Sequence, residues 1–213
     1  MKKPVKRDYQ SQLRADQARD TRRSIVDAAS QLFIENGYGA TTIDAVAQLA
    51  GVSRKTVFTV GGKVELLKTA LDWAIAGDDR PVALADRPTL RQLLDQDDPR
   101  VLIAGWAQIQ VDIDQRAARL FRALEVAAET DEEAGKLLAQ VHHQRLMGAQ
   151  EIVRRLDTLS SLTKEVSEAD AADLAWLATD PMLFDRLVLV RGWTLDRFHA
   201  WLVNNLLGPL ISD

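Results

Sequence analysis

The chain of 213 residues contains no cysteine. That excludes disulfide frameworks and thiolate metal sites, and it agrees with a reducing compartment. Histidine is scarce as well, at three residues, so metal chemistry has few ligands to draw on, and neither a metal nor another cofactor is expected. Long apolar runs are missing: stretches such as Leu187–Val190 are broken by Arg, Asp or Gly well short of the roughly 18 residues that cross a bilayer. Lys2, Lys3, Lys6 and Arg7 are followed by Asp8, Tyr9, Gln10 and Ser11 where a signal peptide would need an apolar core. The expectation is a cytoplasmic protein with no membrane partner. Runs of alternating β-branched residues, internal repeats and low-complexity tracts are absent too, which leaves no sign of a sheet.

Catalytic constellations are equally hard to find. Ser160-Ser161 and the scattered aspartates have no histidine at a recognisable spacing, and an enzyme is not expected. His142 and His143 are neighbours on a helix and point about 100° apart, so they cannot chelate one metal well, and one of them should face solvent. Asp95, Asp97 and Asp98 lack the glycine and distal glutamate of a calcium loop, so a solvated turn before Pro99 is the simpler reading.

What is present is ordinary globular composition, 46% hydrophobic and 27% charged, in a chain long enough to bury a sizeable core. The net charge of −4 conceals an asymmetry. Residues 1–67 hold 11 Lys/Arg against 7 Asp/Glu, whereas residues 68–213 hold 16 against 24. One end suits phosphates and the other does not.

Apolar spacing is helical nearly throughout, which predicts an all-α fold. Ile25, Ala28, Ala29, Leu32 and Phe33 mark one face of a first helix that stops at Asn36-Gly37. Thr41 is expected to open a short second helix, with Asp44 returning the capping bond, and Gly51 to end it. Ser53 caps a third helix of fewer than ten residues that Gly61-Gly62 terminates. Lys63 opens a fourth with Val64, Leu67, Leu71, Ala74 and Ile75 as its stripe. Beyond a connection at 77–88, helices are expected at about 89–96, 100–114, 115–130, 132–159 and 168–179. Asp180-Pro181 interrupts the last of these, Met182–Val190 continues helically, and Thr194 caps a final helix.

Two short capped helices joined by a glycine turn form a helix-turn-helix. Ala47 is small where the helices cross, Gly51 permits a left-handed turn, and Val46, Ala50, Val52, Val57 and Val60 supply the apolar contacts. Through Ile25, Ala28-Ala29, Leu32-Phe33, Gly37-Tyr38, Thr41-Thr42-Ile43, Val46-Ala47, Ala50-Gly51-Val52-Ser53, Thr56 and Lys63–Leu67, the segment 22–67 resembles the TetR family of transcriptional regulators. Asp180-Pro181, Arg191-Gly192-Trp193 and Ala200-Trp201-Leu202 resemble the C-terminal region of some members. The pattern departs from the family near Val60: Thr56 to Lys63 is seven steps rather than eight, Phe58 replaces the usual Tyr, and Val60 stands where His or Phe is usual.

The resemblance implies an N-terminal three-helix helix-turn-helix domain at 21–67, preceded by a basic arm at 1–20 and followed by a helical-bundle effector-binding and dimerisation domain at 68–213. The third helix would enter the major groove of double-stranded DNA with Ser53, Arg54, Lys55, Thr56, Phe58 and Thr59, while Thr41, Thr42 and Lys63 would meet phosphates at helix N-termini. Residues 1–20 are either a solvated tail or an arm adding phosphate contacts. A small-molecule effector would meet Trp73, Trp106, Gln110, Phe121, His143, Met147 and Trp176. A homodimer would pair Leu174, Leu177, Leu183, Leu187, Phe198, Trp201, Leu202 and Leu206. The implied function is a repressor released from a palindromic operator, ligand binding being transmitted through the fourth helix. The alternative is an all-helical ligand-binding or scaffold protein that has lost sequence-specific DNA binding.

Overall fold

The computed structural model describes residues 5–159 and 161–212, with side chains from Leu13 onward; Ser160 and residues 1–4 of the basic arm lie outside the described residues. Its regular structure is all helical, as the apolar spacing predicts. The only β pairing among the described residues is a single bridge between Leu162 and Ile211. The chain divides into two compact units, one up to Asp72 and one from Trp73.

In the first unit, helix α1 spans Val5–Ala40 with a break at Gly37 (φ 76°, ψ 170°). The positive φ, which glycine adopts without steric penalty, ends the helix proper where Asn36-Gly37 predicts. From Val5 on, the expected arm is helix continuous with α1. Ile25, Ala28, Ala29 and Phe33 are buried with Val46, Ala47, Val57, Leu66, Leu67 and Leu71. The larger of these side chains each contribute on the order of 1.5–3 kcal/mol by burial.

Helix α2 is Ile43–Ala50, and its N-cap is Thr42, whose hydroxyl accepts from the Ala45 amide at 3.1 Å. The cap is thus one residue later than expected. Thr41 is instead buried and donates its hydroxyl to the Gly37 carbonyl at 2.8 Å. Asp44 does not complete a capping box, because its carboxylate faces Arg54.

Gly51 (φ 67°) closes α2. Its amide donates to the Gln48 carbonyl at 3.2 Å and the Val52 amide to Ala47 at 3.0 Å, the paired bonds of a Schellman turn. Helix α3 then covers only Arg54–Val57. Thr59 and Val60 donate to the carbonyls three residues back, at 3.1 and 2.9 Å, so the chain tightens into a turn before Gly61. The expected helix up to Gly61-Gly62 is therefore shorter than its sequence allows. Gly61 sits at φ 148°, and a Cβ there would collide with Glu65. Helix α4, Lys63–Ala76, follows.

In the second unit, Asp78 draws Arg87 and Arg80 into a charged knot at 2.7–2.9 Å, and α5 (Pro88–Leu94) leads to α6. Helix α6 runs unbroken over Pro99–Ala128. Two helices are expected here, meeting at Asp114-Gln115. The helix passes through them because Ile113, Asp114, Ala117 and Ala118 are buried, so packing overrides local polarity. Asp98 caps α6, accepting from the Arg100 amide at 2.8 Å, and Asp97 pairs with Arg155 at 3.0 Å. These aspartates thus serve as a cap and an ion pair.

Helices α7 (Glu132–Thr158) and α8 (Glu168–Ala178) pack together, and α7 packs on α6. Asp180 caps the short α9 (Pro181–Phe184), wide π-type turns continue over Asp185–Val190, and α10 is Leu195–Leu202, capped by Thr194. Phe198 meets Phe184 edge to face and stacks on Trp201, with centroids 5.5 and 6.2 Å apart.

Candidate nucleic-acid interface and the buried polar cluster

The sequence Ser53-Arg54-Lys55-Thr56 builds a small projecting face because each hydroxyl closes a local bond. Ser53 Oγ accepts from the Thr56 amide at 3.1 Å and shares a 2.8 Å bond with Thr56 Oγ1. Thr59 Oγ1 donates to the Thr56 carbonyl at 2.6 Å. Ser53, Arg54, Lys55, Phe58 and Thr59 are exposed and Thr56 half-buried. Phe58 is 51% exposed, unusual for an aromatic with a helical scaffold beside it.

Arg54 lies over the Phe58 ring at 5.7 Å and pairs with Asp44 at 3.2 Å. Both partners are largely solvated, so the pair is worth about 0–1 kcal/mol and yields readily to a phosphate. Sequence reasoning misses Asp44 as Arg54's partner; ten residues apart on separate helices, the two show no local signal. Thr42 is exposed with its hydroxyl engaged as cap. Lys63 Nζ lies 4.1 Å from the Tyr38 ring centroid and donates to the Gly39 carbonyl at 3.3 Å, staying at the N-terminus of α4. Thr41, expected to reach a phosphate, is 2% exposed and cannot.

In the second unit the expected effector residues separate. Trp106 and Phe121 are buried, Gln110, Trp73 and Trp176 half-buried. His143 and Met147 are exposed and point away from the core; it is His142 whose ring turns inward, edge-on to Trp176 at 5.9 Å. Of the expected dimer residues, Phe198 and Leu202 are fully buried within this chain's own core, so they present no surface to a second copy. Leu174, Leu183, Leu187, Trp201 and Leu206 are partly buried against that core, and Leu177 is exposed.

A group that the sequence does not reveal as a unit lies inside this bundle. Asp114 of α6 is 2% exposed and its Oδ2 has no hydrogen-bond partner. Trp176 Nε1 is likewise buried and unpartnered. Arg145 of α7 donates to Thr179 Oγ1 at 3.3 Å and to the Trp176 carbonyl at 3.2 Å, and lies 3.1 Å from His142 Nδ1. Burial pushes the Asp114 carboxyl well above the ordinary carboxylate range, against the pull of Arg145. Burial also raises Glu125, helped by Asp180, and lowers His142 and Arg145.

Fold and exposed face together define a helix-turn-helix protein with an all-helical second unit. Residues 25–60 match the family model described as bacterial regulatory proteins, tetR family. The chain is 36% identical over 77 residues to the uncharacterized HTH-type transcriptional regulator TtgW of Pseudomonas putida, covering 36% of this chain and 54% of that protein. The same identity and length relate it to the HTH-type transcriptional regulator SrpR of Pseudomonas putida, 34% of which is covered. The match thus spans about half of the one relative and a third of the other. In fold the chain is similar to NalD, the secondary repressor of the MexAB-OprM multidrug efflux pump in Pseudomonas aeruginosa, with a TM-score of 0.66 at 19% identity over 92% of this chain and 99% of that one. The sequence likeness to the tetR family thus lies in the N-terminal segment, residues 25–60, and the likeness of the rest of the chain is one of fold.

Proposed function

We propose that the chain is a DNA-binding transcriptional regulator, a repressor that binds a palindromic operator as a homodimer and leaves it when a small molecule occupies the second unit. The observation that carries the reading is the exposed face at 53–59, held by the Schellman turn at Gly51 and the Ser53 cap. Such a face has the guanidinium, ammonium and hydroxyl groups that read base edges and hold phosphates in a major groove. The local excess of Lys/Arg supplies the attraction that the acidic remainder lacks. In this reading the DNA-binding domain is 21–67, the effector-binding and dimerisation domain is 68–213, and the protein works in the cytoplasm.

Fluorescence anisotropy against the DNA upstream of its own gene, at two salt concentrations, tests the proposal. Sequence-selective binding that weakens with salt supports it; equal affinity for unrelated duplexes overturns it. That second outcome favours the one competing reading with an observation behind it, a helical ligand-binding protein without operator recognition, because α3 is only four residues long.

A further inference from the structure

We propose, on the reading of the second unit as an effector domain, that its ligand is an aromatic organic cation whose N–H groups bond Asp114 and whose ring lies against Trp176. Helical spacing places Trp106, Gln110, Asp114, Ala117, Phe121 and Glu125 within an arc of about 100° on α6, so two carboxylates share a stripe with two aromatic rings. Helix α7 packs on both α6 and α8, and its Arg145 joins the two sides: its charge acts on Asp114, and it lies over the Trp176 ring, which the His142 ring meets edge-on.

The charges do not balance. Asp114, Glu125 and Asp180 all lie in the field of the half-buried Arg145, with Arg186 adding positive charge near Glu125. Arg145 is engaged elsewhere: Nε with Thr179, Nη1 with His142, Nη2 with the Trp176 carbonyl, and its face 5.1 Å over the Trp176 ring. Asp180 is partly satisfied, accepting from the Met182 amide at 2.9 Å. Asp185, further along, faces Arg122 at 3.7 Å. Asp114 Oδ2 alone is left buried without a donor, an arrangement that stands only at a penalty a ligand donor would remove.

Trp176 Nε1 is the complementary orphan, and it calls for an acceptor oxygen on the same ligand. A donor-bearing cation with an aromatic body and a hydroxyl or carbonyl oxygen meets both needs, and aromatic faces favour cations further. Among the described residues no three His, Asp or Glu come together as metal ligands, so the cation is organic. Access is through the half-buried Glu125, His142 and Trp176.

Tyramine, tyrosol and 4-hydroxyphenylacetate share one phenol and carry a cation, a neutral group and an anion. Calorimetric titration of the full chain is expected to give tyramine at least tenfold tighter binding than tyrosol, with that preference lost in Asp114→Asn. Should Asp114→Asn fail to fold, Glu125→Gln carries the same comparison with a two- to fivefold loss. Equal binding of the three probes, preference for the anion, no tyramine binding at millimolar concentration, or an unchanged preference in the variants overturns the proposal. Operator binding measured without probe separates the two readings: DNA binding with no cation preference sinks this proposal alone, and Asp114-dependent tyramine binding without DNA binding sinks the regulator.

Discussion

Gly51 and Ser53 stand two residues apart and set the angle of α3 from opposite sides of the turn. At Gly51 a Cβ would meet nothing within 4 Å, yet φ is 67°. Gly51→Ala therefore suffers only the backbone penalty, about 1 kcal/mol, and a lower urea midpoint with unchanged slope is the expected result. Asp114 presents the opposite case, a polar residue held at the expense of stability. Its folded carboxyl titrates above its unfolded value, so the native state binds the proton more tightly. Stability then falls as pH rises from about 4 through the folded pKa, and the penalty is complete above it. The charged groups that act on it are Arg145 on α7 and Asp180 before α9. Asp114→Asn is expected to be more stable than the natural chain by about 1–3 kcal/mol at pH 8, with the gain shrinking toward pH 4. Melting temperatures at the two pH values check this; a gain equal at both would mean that charge burial is not the cause.

Helix ends show the same division between local and distant causes. Arg116 of α6 donates through Nε to the Ala74 carbonyl at 2.7 Å and through Nη2 to the Ile75 carbonyl at 3.3 Å, so a cation from another helix satisfies the last turn of α4, where it also complements the dipole. Arg116→Ala is expected to speed amide exchange at Ala76 and Gly77 about three- to tenfold while leaving α10 unchanged. Uniform acceleration would point to global destabilisation instead. Ends closed by their own residues are legible in the sequence: Gly37, Gly51, the Ser53 and Thr194 caps, and the Asp180-Pro181 break depend on neighbours three or four positions away. What depends on distant packing is not. Continuity of α6 through Asp114 requires α7 and α9 against it, and the choice between Thr41 and Thr42 as cap turns on the buried bond from Thr41 to Gly37. Spacing shows that His142 and His143 point apart but not which one faces inward. Likewise the stripe of α10 cannot say whether Phe198 and Leu202 meet their own core or a second copy.

Across the whole molecule, charge is distributed against its own total. A net −4 would repel DNA if spread evenly, and only the basic excess before residue 68 suits the chain to a polyanion. Much of that excess precedes the helix-turn-helix: residues 1–18 carry five Lys/Arg and two Asp, and from Val5 they form a helix continuous with α1. A helix holds its charges at fixed spacing, so under the proposed DNA-binding function those that met phosphates would do so together, releasing counterions with a steeper dependence on salt than the 53–59 face alone. Deleting residues 1–18 leaves the buried residues from Ile25 onward in place, so the first unit should still fold. DNA affinity of the truncated chain is expected to fall at low salt and converge on that of the full chain at high salt. The slope of log K against log salt should flatten by about 0.9 for each phosphate that is no longer neutralised. Parallel salt plots displaced by a constant amount would mean that the segment stabilises α1 without touching DNA, and coincident plots that it is a solvated extension with no part in binding.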